Sequence, residues 1–83
     1  MTTHPSKLSP EACRAGRAIL RWSVAKLSER AGVRRNTLAK VENGGPIPAA
    51  HHGRIIAAFE AAGVEILDGD GVGARLVLRD ARA

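Results

Sequence analysis

The stretch that decides the fold runs from Ser23 to Asn43 and reads SVAKLSERAGVRRNTLAKVEN. It contains two short helical patterns, and the first of them begins at Ser23, a residue type that caps helices. Between the patterns lies Gly32, where the chain must turn sharply and where glycine adopts a left-handed conformation at no steric cost. The second pattern, about residues 34–42, opens with two arginines and an asparagine and stops at Asn43-Gly-Gly-Pro46. Two helices joined by so tight a turn are typical of a helix-turn-helix unit.

Helical patterns also flank this unit on both sides. The first helix is expected at about residues 10–21, because Ser9 can cap it and Pro10 suits its first position. A fourth helix is expected at about residues 48–62, where apolar residues recur at helical spacing. Residues 1–9 are polar and show no periodicity, which predicts a flexible N-terminal arm.

After Gly63 the apolar residues follow the spacing of β-strands. Two short runs, about residues 64–67 and 75–79, lie on either side of a glycine-rich segment, which is typical of a β-hairpin. We therefore predict a mainly α fold, in which a four-helix domain over residues 10–63 is followed by a C-terminal β-hairpin over residues 64–83. At 83 residues the chain has room for one core.

The charge of the chain favours a polyanionic partner. The formal net charge is +5 and the sequence pI is about 10.7. Residues 1–62 carry ten Lys/Arg against four Asp/Glu, so the basic charge lies in the helical part. The chain has only two aromatic residues, Trp22 and Phe59, which disfavours stacking of single-stranded bases. Duplex nucleic acid is therefore the better candidate.

Other classes of function have little support in the sequence. No arrangement of nucleophile, histidine and carboxylate suited to catalysis is apparent, so an enzyme is not expected. His51 and His52 point about 100° apart on a helix and are poorly placed to share an ion, so neither a metal nor another cofactor is expected. The single cysteine, Cys13, fits a reducing cytoplasm. Apolar runs fall short of the roughly 18 residues that span a bilayer, and the N-terminus lacks the apolar region of a signal peptide, so no membrane partner is expected.

Reading of base pairs requires hydrogen-bond donors near the start of a helix that enters the major groove. Arg35 and Asn36 occupy that position in the third helix, and arginine and asparagine pair bidentately with guanine and adenine edges. Lys40, one turn further on, is predicted to reach another base or a phosphate. These three residues are the predicted base readers, although basic side chains would also suit a merely solvated face.

A second set of residues is predicted to contact the DNA backbone and to position the reading helix. Arg34 and Thr37 flank the entry of the third helix. The start of the second helix offers free backbone N–H groups and a lysine to a further run of phosphates. The predicted positioning residues are Ser23, Val24, Lys26, Arg34 and Thr37.

From Arg17 to Gly44 the chain follows the pattern Arg-x4-Trp-Ser-x3-Leu-x3-Ala-Gly-Val-x3-Thr-Leu-x2-Val-Glu-Asn-Gly. In this it resembles the Xre/Cro/C1-type, or lambda-repressor-like, helix-turn-helix transcriptional regulators, and the likeness extends to about residue 66. The resemblance implies an ion pair between Arg17 and Glu42 that braces the reading helix. It also implies that bases are read from the start of the third helix, at the three positions predicted above.

Two positions depart from the pattern of that family. Val24 stands where glutamine is usual, so only a backbone N–H remains there for a phosphate. Arg34 stands where serine or threonine often caps the third helix, which weakens the cap and raises the charge. The implied function is a sequence-specific, double-stranded DNA-binding regulator of transcription in the cytoplasm, associated with the nucleoid when bound to DNA.

A homodimer on a palindromic operator is predicted, because one copy makes too few base contacts and paired half-sites require two-fold symmetry. The hairpin is the candidate dimer element, since an open strand edge can pair with another chain. Packing of the hairpin against its own helices is the alternative. An alternative function is an antitoxin-like protein-interaction module that also binds DNA. The predicted dimerisation residues are Ile56, Val64, Ile66, Leu76 and Leu78.

Overall fold

The computed structural model describes residues 8–68 and 71–77, and the elements follow one another in the predicted order. The two strands pair antiparallel, with Val64 opposite Leu76 and Leu67 opposite Gly73. This architecture confirms the predicted mainly α fold of four helices followed by a C-terminal β-hairpin. The elements are α1 (Pro10–Leu20), α2 (Val24–Ala31), α3 (Arg35–Glu42), α4 (Ala49–Ala61), β1 (Val64–Leu67) and β2 (Gly73–Leu76).

Local sequence determines where the helices of the helix-turn-helix unit begin and end. The Ser23 hydroxyl accepts a hydrogen bond from the backbone N–H of Lys26 at 3.0 Å, which caps α2. α2 ends at Gly32, whose φ of 70° lies in the left-handed region. At the start of α3, by contrast, Arg34 makes no side-chain capping bond. Because an uncapped helix of eight residues is marginal on its own, α3 depends on its tertiary contacts.

The hydrophobic core joins the four helices to the hairpin. Phe59 is fully buried, and its ring stacks on that of Trp22 with the centroids 6.0 Å apart. α1 passes close to this ring at Gly16, where a β-carbon would lie 2.7 Å from Cε1 of Phe59. The remaining buried members of the core are Leu8, Ala12, Cys13, Leu27, Ala31, Val33, Leu38, Val41, Ile55, Ile56, Val64 and Ile66.

The folded part begins earlier than predicted. Leu8 is only 2% exposed and belongs to the core, and its backbone N–H donates to Nδ1 of His52 at 3.1 Å. Ser9 caps α1 through its hydroxyl. The prediction of a flexible arm over residues 1–9 is therefore wrong for Leu8, which is buried and hydrogen-bonded, whereas the predicted capping role of Ser9 is confirmed. Residues 1–7 lie outside the described part of the chain.

The hairpin packs against α1 and α4 of its own chain. Val64 and Ile66 are buried because they lie two residues apart on β1 and so face the helices together. Ile56 is buried because α4 packs against both α2 and β1. The prediction that places these three residues in a dimer interface is wrong, since they belong to the core. Of the other two, Leu76 is 52% exposed and Leu78 lies outside the described residues.

Candidate nucleic-acid interface

One face of α3 carries the side chains predicted to read DNA. Arg35, Asn36 and Lys40 are all exposed, whereas Leu38 and Val41 are buried. Leu38 and Val41 are three residues apart and share the buried face, whereas Asn36 and Lys40 are four apart and share an exposed face, with Arg35 exposed beside Asn36. The structure therefore brings the three predicted base readers together on the solvent side of one helix.

The entry to α3 is strongly basic. Arg34 is exposed and directly precedes the helix, and Thr37 is half-buried in its first turn. The stretch from Ser23 to Asn43 holds five Lys/Arg against two Asp/Glu, and one of those acids, Glu42, is held in an ion pair with a residue of α1. The surface that α2 and α3 share therefore has an excess of positive charge.

The start of α2 offers backbone groups more than side chains. The Ser23 hydroxyl is already engaged in capping, and Val24 packs against the core. Lys26 Nζ lies 3.7 Å from Oε1 of Glu29, a contact between exposed side chains that water and salt weaken. An anion at the start of α2 would thus meet backbone N–H groups of the first turn. It would also meet Lys26, which can give up its weak contact with Glu29 to bind the anion.

The C-terminal end of α3 is tied to α1 by a bidentate ion pair. Arg17 Nε donates to Oε2 of Glu42 at 2.7 Å, and Arg17 Nη2 donates to Oε1 at 2.9 Å. The two side chains are only 21% and 13% exposed, so the pair is largely shielded from water. The ion pair that the resemblance implies is present, and paired bonds of this geometry fix orientation as well as distance.

Two further residues of α1 hold the same end of α3, and sequence reasoning missed both. The Cys13 thiol donates to Oε2 of Glu42 at 3.2 Å, and Arg14 Nη1 donates to the backbone carbonyl of Glu42 at 2.5 Å. The available signal was spacing, because Cys13 lies one turn before Arg17 and so shares its face of α1. We name these contacts of Cys13, Arg14 and Arg17 with Glu42 the α1–α3 clamp.

The clamp shifts the pKa of each group that it buries. Burial raises the pKa of Glu42, but hydrogen bonds from Arg17 and Cys13 and the charges of Arg17 and Arg14 outweigh it, so the pKa lies below the ordinary 4.5. The hydrogen bond to Glu42 raises the pKa of Arg17. Burial, followed by the bond to Glu42, raises the pKa of the Cys13 thiol. At neutral pH the clamp therefore joins a charged carboxylate, a charged guanidinium and a protonated thiol.

α2 and the turn are tied into the same framework. Arg17 Nη1 donates to the backbone carbonyl of Trp22 at 3.1 Å. The guanidinium of Arg30 lies 5.6 Å from the centre of the Trp22 ring, within the range of a cation–π contact. Ser28 Oγ donates to the backbone carbonyl of Val33 at 2.5 Å, which closes the turn between α2 and α3. The angle between the two helices is thus set by polar contacts as well as by the core.

Histidines and acids do not form a metal site in the part of the chain that the structure describes. No three His, Cys, Asp or Glu side chains there are grouped so as to hold an ion. His52 instead accepts the hydrogen bond from Leu8. Among the helices of residues 8–68, none is long and apolar enough to cross a membrane.

Comparison with known proteins assigns no family to the chain. No protein-family model matches it, and no curated protein is significantly similar to it. What bears on function is therefore the geometry of α1, α2 and α3 and the chemistry of their exposed side chains.

Proposed function

We propose that this protein is a sequence-specific regulator of transcription that binds double-stranded DNA by placing α3 in the major groove. The observation that carries the proposal is the exposed row of donors Arg35, Asn36 and Lys40 on a helix whose far end is clamped to α1. In the major groove each base pair displays its own pattern of donors and acceptors. A rigidly held row of donors loses little freedom on meeting that pattern, which favours affinity.

The residue types suggest a division of roles along α3. Arg35 suits a bidentate contact with O6 and N7 of guanine, and Asn36 suits N6 and N7 of adenine. Lys40, one turn further along, suits a guanine or a phosphate. Arg34 and Thr37 lie beside this row and suit phosphate oxygens, which position a protein on DNA without reading sequence.

The start of α2 suits a second phosphate contact. The N–H groups that follow Ser23 and the positive end of the α2 dipole favour an anion there, and Lys26 adds a charge. Contacts of this kind supply affinity for any duplex and make it depend on salt. Two phosphate contacts on either side of the reading row would fix the angle at which α3 enters the groove.

A homodimer on a palindromic operator is part of the proposal. One copy of α3 offers three readers, and a second copy related by two-fold symmetry doubles the site that is recognised. β2 supports this view, because Leu76 is 52% exposed and Val77 is 37% exposed beside a strand with one neighbour in the described sheet. An open edge with apolar side chains is suited to pair with another copy of itself. The cytoplasm is the compartment in which such a regulator would act.

Selection from random duplexes tests the DNA-binding role. We expect enrichment of a two-fold symmetric site, and binding that weakens steeply as salt rises.

Arg35→Ala should weaken binding to the selected site by about 1–3 kcal/mol and relax preference at one position in each half-site. Lys26→Ala should weaken binding to all sequences and flatten the dependence on salt. Arg54→Ala removes the same charge from an exposed position on α4, which takes part in neither proposed interface, and is the control. Equal effects of Arg35→Ala and Arg54→Ala would contradict the assignment of α3 to the groove.

Sedimentation analysis tests the dimer. Leu76→Glu should shift the protein to monomers and weaken operator binding, because a charge at the edge of β2 would be buried on pairing. Val72→Glu changes an equally exposed residue, at 53%, outside β2 and is the control. If the Leu76→Glu variant is as dimeric as the parent protein, the dimer interface does not include Leu76.

The exposed edge of β2 also fits the alternative, an antitoxin-like module that uses it to bind another protein. In that case the purified protein should be a monomer at concentrations that saturate DNA. A stoichiometric partner captured from the native cells should then be lost on Leu76→Glu while DNA binding is retained. This alternative would be excluded if the parent protein is a stable dimer and Leu76→Glu weakens its binding to DNA.

A further inference from the structure

The exposed face of α3 carries one apolar side chain, Ala39, among its hydrogen-bond donors. Ala39 is exposed, with Arg35 one turn before it and Asn43, also exposed, one turn after it. Asn36, three residues before it, is a further neighbour on the same face, and Lys40 follows it directly along the chain. Ala39 is therefore a methyl group bordered by three polar side chains, on the surface for which the proposed function assigns a role in reading bases.

The neighbourhood restricts what can lie opposite this methyl in a major groove. A polar base edge placed against Ala39 would lose its water and gain no hydrogen bond, which is unfavourable. Among the groups that base pairs display in the major groove, the 5-methyl group of thymine is the apolar one, and alanine suits it. The polar side chains that border Ala39 can satisfy polar edges on either side of it.

We propose that Ala39 is a specificity-determining residue that selects a thymine through its 5-methyl group; this inference rests on the proposed function. Ala39 lies four residues after Arg35, which is about 6 Å along the helix axis at a rise of 1.5 Å per residue. Successive base pairs are about 3.4 Å apart along each strand. The thymine is therefore expected about two steps from the base that Arg35 reads.

The position of Ala39 makes it suitable for a clean test. Its side chain is exposed and outside the hydrophobic core, so replacing it removes no core contact among the described residues. A longer side chain at this point would hold the helix axis away from the bases and lengthen the contacts of Asn36 and Lys40. Alanine thus combines an apolar contact with close approach of the helix.

Replacing thymine by uracil in the selected operator removes only the 5-methyl group and tests the inference without changing the protein. We expect one thymine in each half-site at which uracil weakens binding by about fourfold, the ratio that corresponds to burial of one methyl group. With Ala39→Gly, uracil and thymine at this position should bind equally. Ala39→Ser, which keeps the β-carbon but adds a hydroxyl, should also lose most of the difference.

Ala57→Gly is the matched control, because Ala57 is exposed on α4 and the change weakens a helix without touching α3. This variant should keep the full uracil effect. If the parent selects a symmetric site in which no thymine responds to uracil, the inference fails and the proposed function stands. A uracil effect that is unchanged in both Ala39 variants would equally overturn the inference. If the parent binds no duplex, the inference and the proposed function fail together.

Discussion

Replacement of Glu42 by glutamine should destabilise the fold far more than removal of an exposed ion pair with the same Nε–oxygen distance. Glu42 accepts two hydrogen bonds from the Arg17 guanidinium and one from the Cys13 thiol. Glutamine keeps the size of the side chain, but it removes the charge and turns one acceptor oxygen into a donor. Arg17 is only 21% exposed and would be left without its counter-ion.

The magnitude follows from the contacts that are lost. A net hydrogen bond to a charged group contributes about 1.5–3 kcal/mol, and an uncompensated buried charge adds to the loss. Because the remaining oxygen of glutamine still accepts one bond and Arg17 retains some contact with water, we expect a loss of about 2–3 kcal/mol. That is a large fraction of the roughly 5–15 kcal/mol that holds a typical domain folded.

Urea unfolding followed through the fluorescence of Trp22, the single tryptophan, measures the effect. Arg75 and Glu65 provide the control, since Arg75 Nε lies 2.7 Å from Oε1 of Glu65, the separation found between Arg17 and Glu42. The control side chains are 66% and 31% exposed, so Glu65→Gln should change the free energy of unfolding by less than about 1 kcal/mol. Equal losses for the two glutamine variants would refute the role given to burial.

The same variant should alter the response to acid. Because the pKa of Glu42 is lower in the folded protein than the ordinary 4.5, the unfolded chain binds the proton first as pH falls. The stability that Glu42 contributes is therefore fully present above about pH 4.5 and is lost as pH falls through its lower, folded value. Glu42→Gln should lack this part of the acid dependence.

Three further predictions concern the framework around α3. Gly16→Ala should lower the free energy of unfolding by about 1–3 kcal/mol, because the new β-carbon would collide with the ring of Phe59. Gly53→Ala, which meets no atom within 4 Å, should instead raise it by about 0.5–1 kcal/mol in the same urea assay. Arg34→Ser should stabilise the protein by about 0.5–1 kcal/mol by capping α3, yet weaken binding to every duplex in a fluorescence anisotropy titration. The Cys13 thiol should react with a maleimide only as fast as the protein unfolds, and rapid labelling in the absence of urea would contradict its burial.

The order and type of the elements were predictable because each carries a local signal. Ser9 and Ser23 were expected to cap helices, and both do so through their hydroxyls. Gly32 was expected at the sharp turn, and it adopts the required positive φ. The change of period at Gly63 predicted the hairpin, whose first strand begins at the following residue. Signals of this kind depend only on near neighbours in the chain, and these can be read from sequence.

Burial at the two ends of the chain was not predictable in the same way. Leu8 lies in a polar segment, and its partner His52 is 44 residues away. Ile56 lies off the main apolar stripe of α4, but α4 is covered on two sides and buries it. Val64 and Ile66 read equally well as an interface or as core. In each case burial depends on which distant element covers the side chain. The local spacing of apolar residues does not predict which element that is.

In the candidate site, too, some features were predictable from local sequence and others were not. Exposure of Arg35, Asn36 and Lys40 followed from helical spacing and the burial of their neighbours. The ion pair between Arg17 and Glu42 was implied by a resemblance and is present. The other two clamp contacts were missed, because a thiol on an apolar stripe reads as a small hydrophobe and an exposed arginine reads as a solvated charge.

The two ends of α3 are held in different ways, and the difference bears on how it would work. At the C-terminal end, Glu42 receives donors from three residues of α1. At the N-terminal end, Arg34 provides no cap, and the first exposed side chains are Arg35 and Asn36. If α3 were capped at its N-terminus as well, the capping side chain there would be engaged in a hydrogen bond within the protein and would not be free to contact DNA. Here a bound phosphate near Arg34 can supply the missing cap, so that DNA itself would complete α3. Substitutions in the clamp should therefore weaken binding to all sequences, and substitutions of Arg35 or Asn36 should change which sequence is preferred.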